Sequence, residues 1–329
     1  MSTSLISIIM PAYNAERHIR QAIQSILEQS YKHFELIIIN DGSSDNTKAI
    51  IKSYGDNRIR FFENEKNSGI VFSRNRGLKL AKGEYIGMFD ADDIAHREKF
   101  RMQVSFLEQN KDFGMVGSWI KFIDMDGKPL PGKWKLMASP EMIPSIMLFK
   151  NYFLQSAVLY RQACIRNFSF KEGFDILEDY LIWLEIIRDY KVWNLQKYLV
   201  DYRIHSGGIT KKHSKEKLEK EERVFRMQLK ELGISATETE LESHLLIRND
   251  QSISSIHTLK SIEKWLLKIL ASNEVLGVYD QKILTRTVFN RWLKVCSKAK
   301  HLHFKLLYPL FTSKIFSIFI KSFRPRFNN

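Results

Sequence analysis

The chain of 329 residues contains only two cysteines, Cys164 and Cys296, far apart in sequence. That excludes a disulfide framework and a cysteine-based metal site, and it fits a reducing cytoplasm. No run of about 18 apolar residues occurs, so no transmembrane helix is predicted. The nearest candidate, Leu306 to Phe319, is interrupted by Pro309 and Lys314. Met1 to Pro11 lacks a basic start ahead of a long apolar stretch and reads as a short strand, not a signal peptide. Acidic residues are absent after Asp280. Residues 206–329 hold 23 Lys and Arg against 12 Asp and Glu, which places +11 of the net charge of +14 in that segment. No recognisable motif for nucleic acid accompanies this charge, so no nucleic-acid partner is expected. Two readings of the basic tail stay open. It is a solvated surface, or it meets the anionic inner face of the cell membrane through its interleaved aromatic and aliphatic residues.

Apolar residues make up 44% of the chain, enough for a packed core. The length suggests one large domain and an appendage. Through about residue 115, strand and helix signals alternate. Leu5 to Met10 is a continuous apolar run, as a strand buried on both faces would be. Ile19, Ala22, Ile23, Ile26 and Leu27 mark one helical face. Glu35 to Asn40 and Ile59 to Phe62 read as strands, Ile70 to Lys82 as a helix, and Tyr85 to Phe89 as a fourth strand. This order predicts an α/β fold with a mainly parallel sheet and helices on both faces. From Gly114 to His205 the pattern is mixed. Gln155 to Tyr160 and Leu199 to Ile204 resemble strands, and Asp179 to Asp189 a helix. Beyond Gly207-Gly208 only helical signals remain. The expected division is a catalytic domain over 1–210 and a basic helical region over 211–329.

Ligands of such sheets sit beyond the carboxyl ends of the strands. Tyr13, Asn14, Asp41, Asp90 and Asp92 fall there. Asp90 and Asp92, one residue apart, suit a divalent cation with oxygen ligands and a diphosphate. Asp93 is expected to cap the following helix. Asp41 either accepts hydrogen bonds from a nucleoside or is a plain Asp-Gly turn residue. Arg74 either reaches a base or phosphate or is a surface arginine. Glu178-Asp179 opens a helix, where acids are favoured by the dipole, and either carboxylate also suits a general base. Arg203 and His205 share one side of a strand and suit a diphosphate and a metal.

Taken in order, these segments resemble family 2 glycosyltransferases of the GT-A fold. The likeness is carried by Ser7-Ile-Ile-Met-Pro-Ala-Tyr-Asn14, Ile39-Asn-Asp-Gly-Ser-Ser-Asp-Asn-Thr47, Asn67-Ser-Gly with Ser73-Arg-Asn-Arg-Gly77, Phe89-Asp-Ala-Asp-Asp93, and Glu178-Asp179 with Trp183. It spans about residues 5 to 210. The resemblance implies an inverting hexosyltransferase. Pro11, Ala12, Tyr13, Asp41, Asn67, Arg74, Asp90 and Ala91 would hold the nucleoside of a nucleotide-sugar. Asp92 and His205 would hold Mn2+ or Mg2+, Arg203 would lie near the diphosphate, and Asp179 would be the base, with Glu178 as its alternative. The segment from Asn151 to Tyr160 lies where the family shapes the sugar and acceptor pocket.

Asp90-Ala-Asp-Asp-Ile-Ala95 and Tyr202-Arg-Ile-His205 are further similar to bacterial lipooligosaccharide β-1,3-N-acetylglucosaminyltransferases. That likeness implies a UDP-sugar donor and a lipopolysaccharide, capsule or exopolysaccharide acceptor. The Gln-x-x-Arg-Trp signature of processive synthases is broken: Arg291-Trp292 is present, but Val288 stands in place of the glutamine. A polyprenyl-phosphate sugar transferase and a non-catalytic nucleotide- or membrane-binding module are the competing readings.

Overall fold

The structure is a computed structural model; it describes residues 4–204, 214–249, 253, 255–299 and 313–323. The chain divides into two compact units, 1–140 with 153–217 and 141–152 with 218–329.

The first unit begins with β1 (Ile6–Ala12), α1 (Ile19–Leu27), β2 (Phe34–Asn40), α2 (Thr47–Lys52), β3 (Ile59–Glu63), α3 (Ile70–Leu80) and β4 (Tyr85–Met88). The four strands pair in parallel in the order β3-β2-β1-β4. Every residue of β1, β2 and β4 is buried, so both faces of this half-sheet are covered, which explains the unbroken apolar runs. Helix α1 meets the core through Ile19, Ala22, Ile23 and Ile26. Helix α3 buries an unusual face of Val71, Ser73, Arg74 and Gly77. A Cβ on Gly77 would stand 2.3 Å from Ile9 Cγ2, so glycine lets α3 lie directly on β1. That approach carries Arg74 under the strand ends.

The chain continues through β5 (Ile94–Ala95), α4 (Lys99–Gln109), β6 (Phe113–Ile123), β7 (Pro129–Trp134), α5 (Ile143–Met147), β8 (Leu159–Arg161), α6 (Glu178–Asp189) and β9 (Lys191–Arg203). The nine-stranded sheet extends from β4 as β8-β6-β9-β5, with β7 paired to β6. Strands β6 and β9 run parallel over nearly their whole length, while β8 opposes both β4 and β6. The strand expected over Gln155 to Tyr160 is instead a 3-10 turn, Gln155–Ala157, followed by the short β8. Strand β9 begins at Lys191, eight residues before the expected start at Leu199.

The second unit is helical: α5 with α7 (Ser214–Glu231), α8 (Glu238–Asn249), α9 (Ile256–Leu276), α10 (Gln281–Lys298) and α11 (Lys314–Phe323). Trp265, Leu266, Leu284, Val288 and Trp292 form its core, and Leu148 and Phe149 belong to the same cluster. The 141–152 excursion into this unit lies outside the division expected from sequence. On α11, Phe319 stacks on Phe289 at 3.9 Å between centroids and Ile315 is buried, so part of its apolar face packs within this unit. No helix among the described residues is long and apolar enough to cross a membrane.

Candidate active site

The carboxyl ends of β1, β2 and β4 hold the expected residues. Pro11 and Ala12 are the last, buried residues of β1, paired with Ile39 and Asn40 of β2. Beyond them Asn14 takes a left-handed backbone, φ 47°. Its amide N–H donates to Ser43 Oγ at 3.0 Å and its side-chain oxygen accepts from Ser44 N at 2.9 Å. This clamp turns Tyr13 outward, leaving it 49% exposed, a flat apolar face at the strand end.

Asp41 is buried and organises the loop that follows β3. Its Oδ1 accepts from Asn64 Nδ2 at 2.6 Å and Ser68 N at 3.0 Å, and its Oδ2 accepts from Gly69 N at 2.9 Å. Gly42 has φ +66°, and a Cβ there would stand 2.5 Å from the Lys66 carbonyl carbon, so the Asp-Gly turn and the loop touch backbone to backbone. Asn67 is exposed in that loop, and its side-chain oxygen accepts from Gly69 N at 3.1 Å. Each carboxylate oxygen has two acceptor positions, so Oδ2 of Asp41 keeps one for a further donor.

Arg74, expected either to reach a base or phosphate or to be a surface arginine, lies inside the fold. It is 4% exposed and forms a buried bridge: one terminal nitrogen pairs with Glu178 Oε1, and the other lies 3.0 Å from Asp90 Oδ1. Burial works against its charge, but Glu178, Asp90 and Asp179 together hold its pKa above the ordinary value. Burial pushes the Glu178 carboxyl up, against the pull of Arg74. Asp90 is likewise raised by burial, opposed by Arg74 and reinforced by Asp92.

Asp93 does not cap α4, whose N-cap residue is Glu98. It is buried, and its Oδ1 accepts from the Arg203 amide at 2.9 Å, tying β9 to the end of β4. Burial, with Asp92 and Asp90 nearby, raises its carboxyl well above the usual range. Arg203 is buried too. Its side chain donates to the carbonyls of Asp92 at 2.8 Å, Asp124 at 2.7 Å and Met125 at 3.0 Å, and to Gln21 Oε1 at 2.9 Å. Those bonds hold the backbone of the acidic turn and of the 124–125 loop together. Ala91 is buried between the two outer aspartates, and Asp92 is half-buried.

Glu178 and Asp179 form the first turn of α6, where the helix dipole favours anions. Glu178 is buried against Arg74, whereas Asp179 is half-buried. Burial and then Asp93, Asp90, Asp92 and Asp179 all push the Tyr202 phenol up. Tyr202 therefore lies near the carboxylates of Asp90, Asp92, Asp93 and Asp179, and the Arg74 bridge from Asp90 to Glu178 brings the start of α6 beside the end of β4. Two further residues were not singled out from sequence. Asn64 lies one residue past β3, where the strand-end rule points. Ser156 holds the Asp90 amide through its Oγ at 3.1 Å and carries no sequence signal.

Among the described residues no three His, Cys, Asp or Glu side chains form a preassembled metal cluster. His205 lies outside the described residues. Asp92, just past β4, is a half-buried oxygen donor whose charge raises the carboxyls of Asp90 and Asp93, a repulsion that a cation would relieve, so the donor set fits a hard divalent ion.

The family model for glycosyl transferase family 2 matches residues 7–174. The chain belongs to glycosyltransferase family 2. Among its relatives is Escherichia coli WfaP, a UDP-Glc:alpha-D-GlcNAc-diphosphoundecaprenol beta-1,3-glucosyltransferase, 34% identical over 70% of this chain and 88% of the relative. E. coli WfgD, which carries the same description, is 33% identical over 66% of this chain and 83% of its own length. Among solved structures, S. aureus TarS 1-349 in complex with UDP-GlcNAc superposes with a TM-score of 0.59 at 20% identity, covering 90% of this chain and 91% of that one. The chain spans 53% of a longer TarS chain. These likenesses show the GT-A fold of this glycosyltransferase, with its helical C-terminal region.

Proposed function

We propose that this glycosyltransferase moves a hexose from a UDP-sugar to a hydroxyl of a surface-glycan acceptor, with inversion and with Asp179 as the general base. The observation that supports this is the Arg74 bridge from Asp90 to Glu178, the neighbour of Asp179 in the first turn of α6. Burial and pairing with Arg74 make Glu178 the less suited of the two carboxylates. Exposed Tyr13 would stack on the uracil, Asp41 would accept a base N–H through Oδ2, and Asn67 borders the same opening. Asp92 and His205 would hold Mn2+ or Mg2+. The ion would supply charge neutralisation for the departing nucleoside diphosphate. Asp179 would accept the proton of the acceptor hydroxyl as that oxygen bonds to the anomeric carbon and UDP leaves.

The named activity of WfaP and WfgD supports a UDP-sugar donor and a lipid-linked acceptor, and TarS with UDP-GlcNAc supports the same donor class. An acceptor held in the inner membrane agrees with the exposed Lys282, Arg286, Lys294 and Lys298 along α10. A polyprenyl-phosphate acceptor is already an anion and needs no base, which separates the two chemistries. The test is turnover of UDP-, GDP- and dTDP-sugars with Mn2+ or Mg2+, using wild type and Asp179→Asn. A hydroxyl acceptor predicts that Asp179→Asn loses at least about a hundredfold in kcat while UDP affinity stays within twofold. Unchanged turnover in the variant refutes the base assignment.

A further inference from the structure

Gln155 opens the 3-10 turn between the excursion 141–152 and β8. The turn is firmly placed. The Asp90 amide donates to Ser156 Oγ at 3.1 Å, and Gln103 Nε2 donates to the Ala157 carbonyl at 2.8 Å. The Gln155 side chain is 5% exposed, yet neither its Oε1 nor its Nε2 has a hydrogen-bond partner. Interchanging the two amide atoms does not help, because both are unpaired. A buried amide lacking both bonds is disfavoured in a folded chain, and replacing it by an apolar group of similar shape is neutral or favourable.

The same region has other unmatched polar atoms. Trp183 Nε1, Tyr160 Oη and Glu178 Oε2 are buried without partners. Trp183 packs edge-on to both Phe153 and Tyr160, at 6.1 and 6.0 Å between centroids, and Glu178 is bound to Arg74 beside Asp90. Gln228 and Trp292 of the helical unit also carry unpaired atoms, but here several fall together on the segment next to the end of β4 and on the helix that bears Asp179. An aliphatic core has no use for them. A hydroxylated ligand does, because each sugar hydroxyl both donates and accepts.

We infer that Gln155 reads a ring hydroxyl or the N-acetyl group of the donor hexose and is a specificity-determining residue of this transferase. The inference rests on the proposed use of a nucleotide-sugar but does not depend on the base or the acceptor. A site whose buried polar groups are left unmatched by the wrong substrate discriminates strongly, which gives the residue a reason to be glutamine.

The test uses the full-length protein, wild type and Gln155→Leu, with UDP-Glc, UDP-Gal, UDP-GlcNAc and UDP-GalNAc as donors. Three readouts are taken: kcat/KM for each donor, inhibition by UDP alone, and the thermal midpoint. Gln155→Leu is expected to compress the ratio between the best and worst donors by at least about tenfold. UDP inhibition should stay within twofold, and the midpoint should stay level or rise. An unchanged donor ratio overturns the inference, whether the midpoint falls, as for an amide satisfied within the fold, or rises. A parallel loss of UDP binding also overturns it, since the residue would then serve the nucleotide site. If the wild type turns over none of the four UDP-sugars, the proposed donor class has failed, and the same ratio is measured with GDP- or dTDP-hexoses.

Discussion

The Arg74 bridge permits a quantitative prediction. Its guanidinium is almost fully buried, pairs with Glu178 across 104 residues of sequence, and reaches Asp90 at 3.0 Å. Removing one partner of a buried pair leaves the other charge desolvated, which costs about 3–5 kcal/mol. Glu178→Ala leaves Arg74 with Asp90 and should fall at the lower end, ~3 kcal/mol. Arg74→Met strands two carboxylates beside Asp179 and should reach the upper end, ~5 kcal/mol. In a unit of this size these losses lower the melting temperature by roughly 6–20 °C. The pair Arg74→Met with Glu178→Ala removes both charges and should lose less than the sum of the singles, with a coupling energy of about 2–3 kcal/mol. Urea unfolding of the four proteins gives the cycle. Activity measured well below each midpoint separates folding from placement of α6. Additive losses, or single losses under about 1 kcal/mol, would refute the claim that this bridge anchors α6.

Two other buried groups make predictions of opposite kinds. His244 faces the Leu148 carbonyl with Nε2 at 2.9 Å and accepts from Trp265 Nε1 through Nδ1, so it is neutral, and burial drives its pKa down to about 4. The folded chain therefore binds fewer protons than the unfolded one, and stability of the helical unit falls as pH drops from about 6.5 to about 4, by ~3 kcal/mol. Urea unfolding at both ends of that window should show the loss, and His244→Gln should abolish that slope. Lys99 is fully buried, its Nζ has no hydrogen-bond partner and lies 4.0 Å from the Phe100 ring centroid, and burial holds its pKa well below the ordinary value. Stability should rise as pH increases toward the ordinary lysine pKa, and Lys99→Met should raise the melting temperature at pH 7; a fall in the midpoint would show that the amine has a stabilising partner.

The first half of the sheet was legible because its residues obey local rules. Buried parallel strands such as Phe34–Asn40 are unbroken apolar runs, and polar residues such as Asp41 and Asp90 follow just beyond their ends. Strands β6 and β9 were harder to read. Their pairing shifts register at Phe113/Met115, Ser118/Trp119 and Trp119/Ile120, so the alternation that marks a strand is broken along both. The excursion 141–152 was invisible for another reason. Its place is set by Phe149 stacked 5.2 Å from His244 and by Ser145 Oγ at 2.6 Å from Thr287 Oγ1, contacts between residues about a hundred or more apart. Sequence periodicity contains no record of such pairs. Asp41, Asp90 and Asp179 were found because strand ends and helix starts are local features. The partners that constrain them, Asn64, Ser156 and Arg74, are revealed only by the packing.

The two arginines make bonds that no motif records. Arg203 spends its side chain on three carbonyls and Gln21, and its amide binds Asp93. Arg74 spends its terminal nitrogens on Glu178 and Asp90. The first fixes the backbone of the acidic turn, and the second fixes the carboxylates on either side of it. A lysine could not replace either one, because a single point charge cannot reach several separated acceptors in one plane. Committing both guanidinium groups to internal bonds also leaves neither directed at a diphosphate. The positive charge that such a leaving group demands must then come from outside this pair, which is the physical reason for proposing a divalent cation on Asp92 and not an arginine clamp.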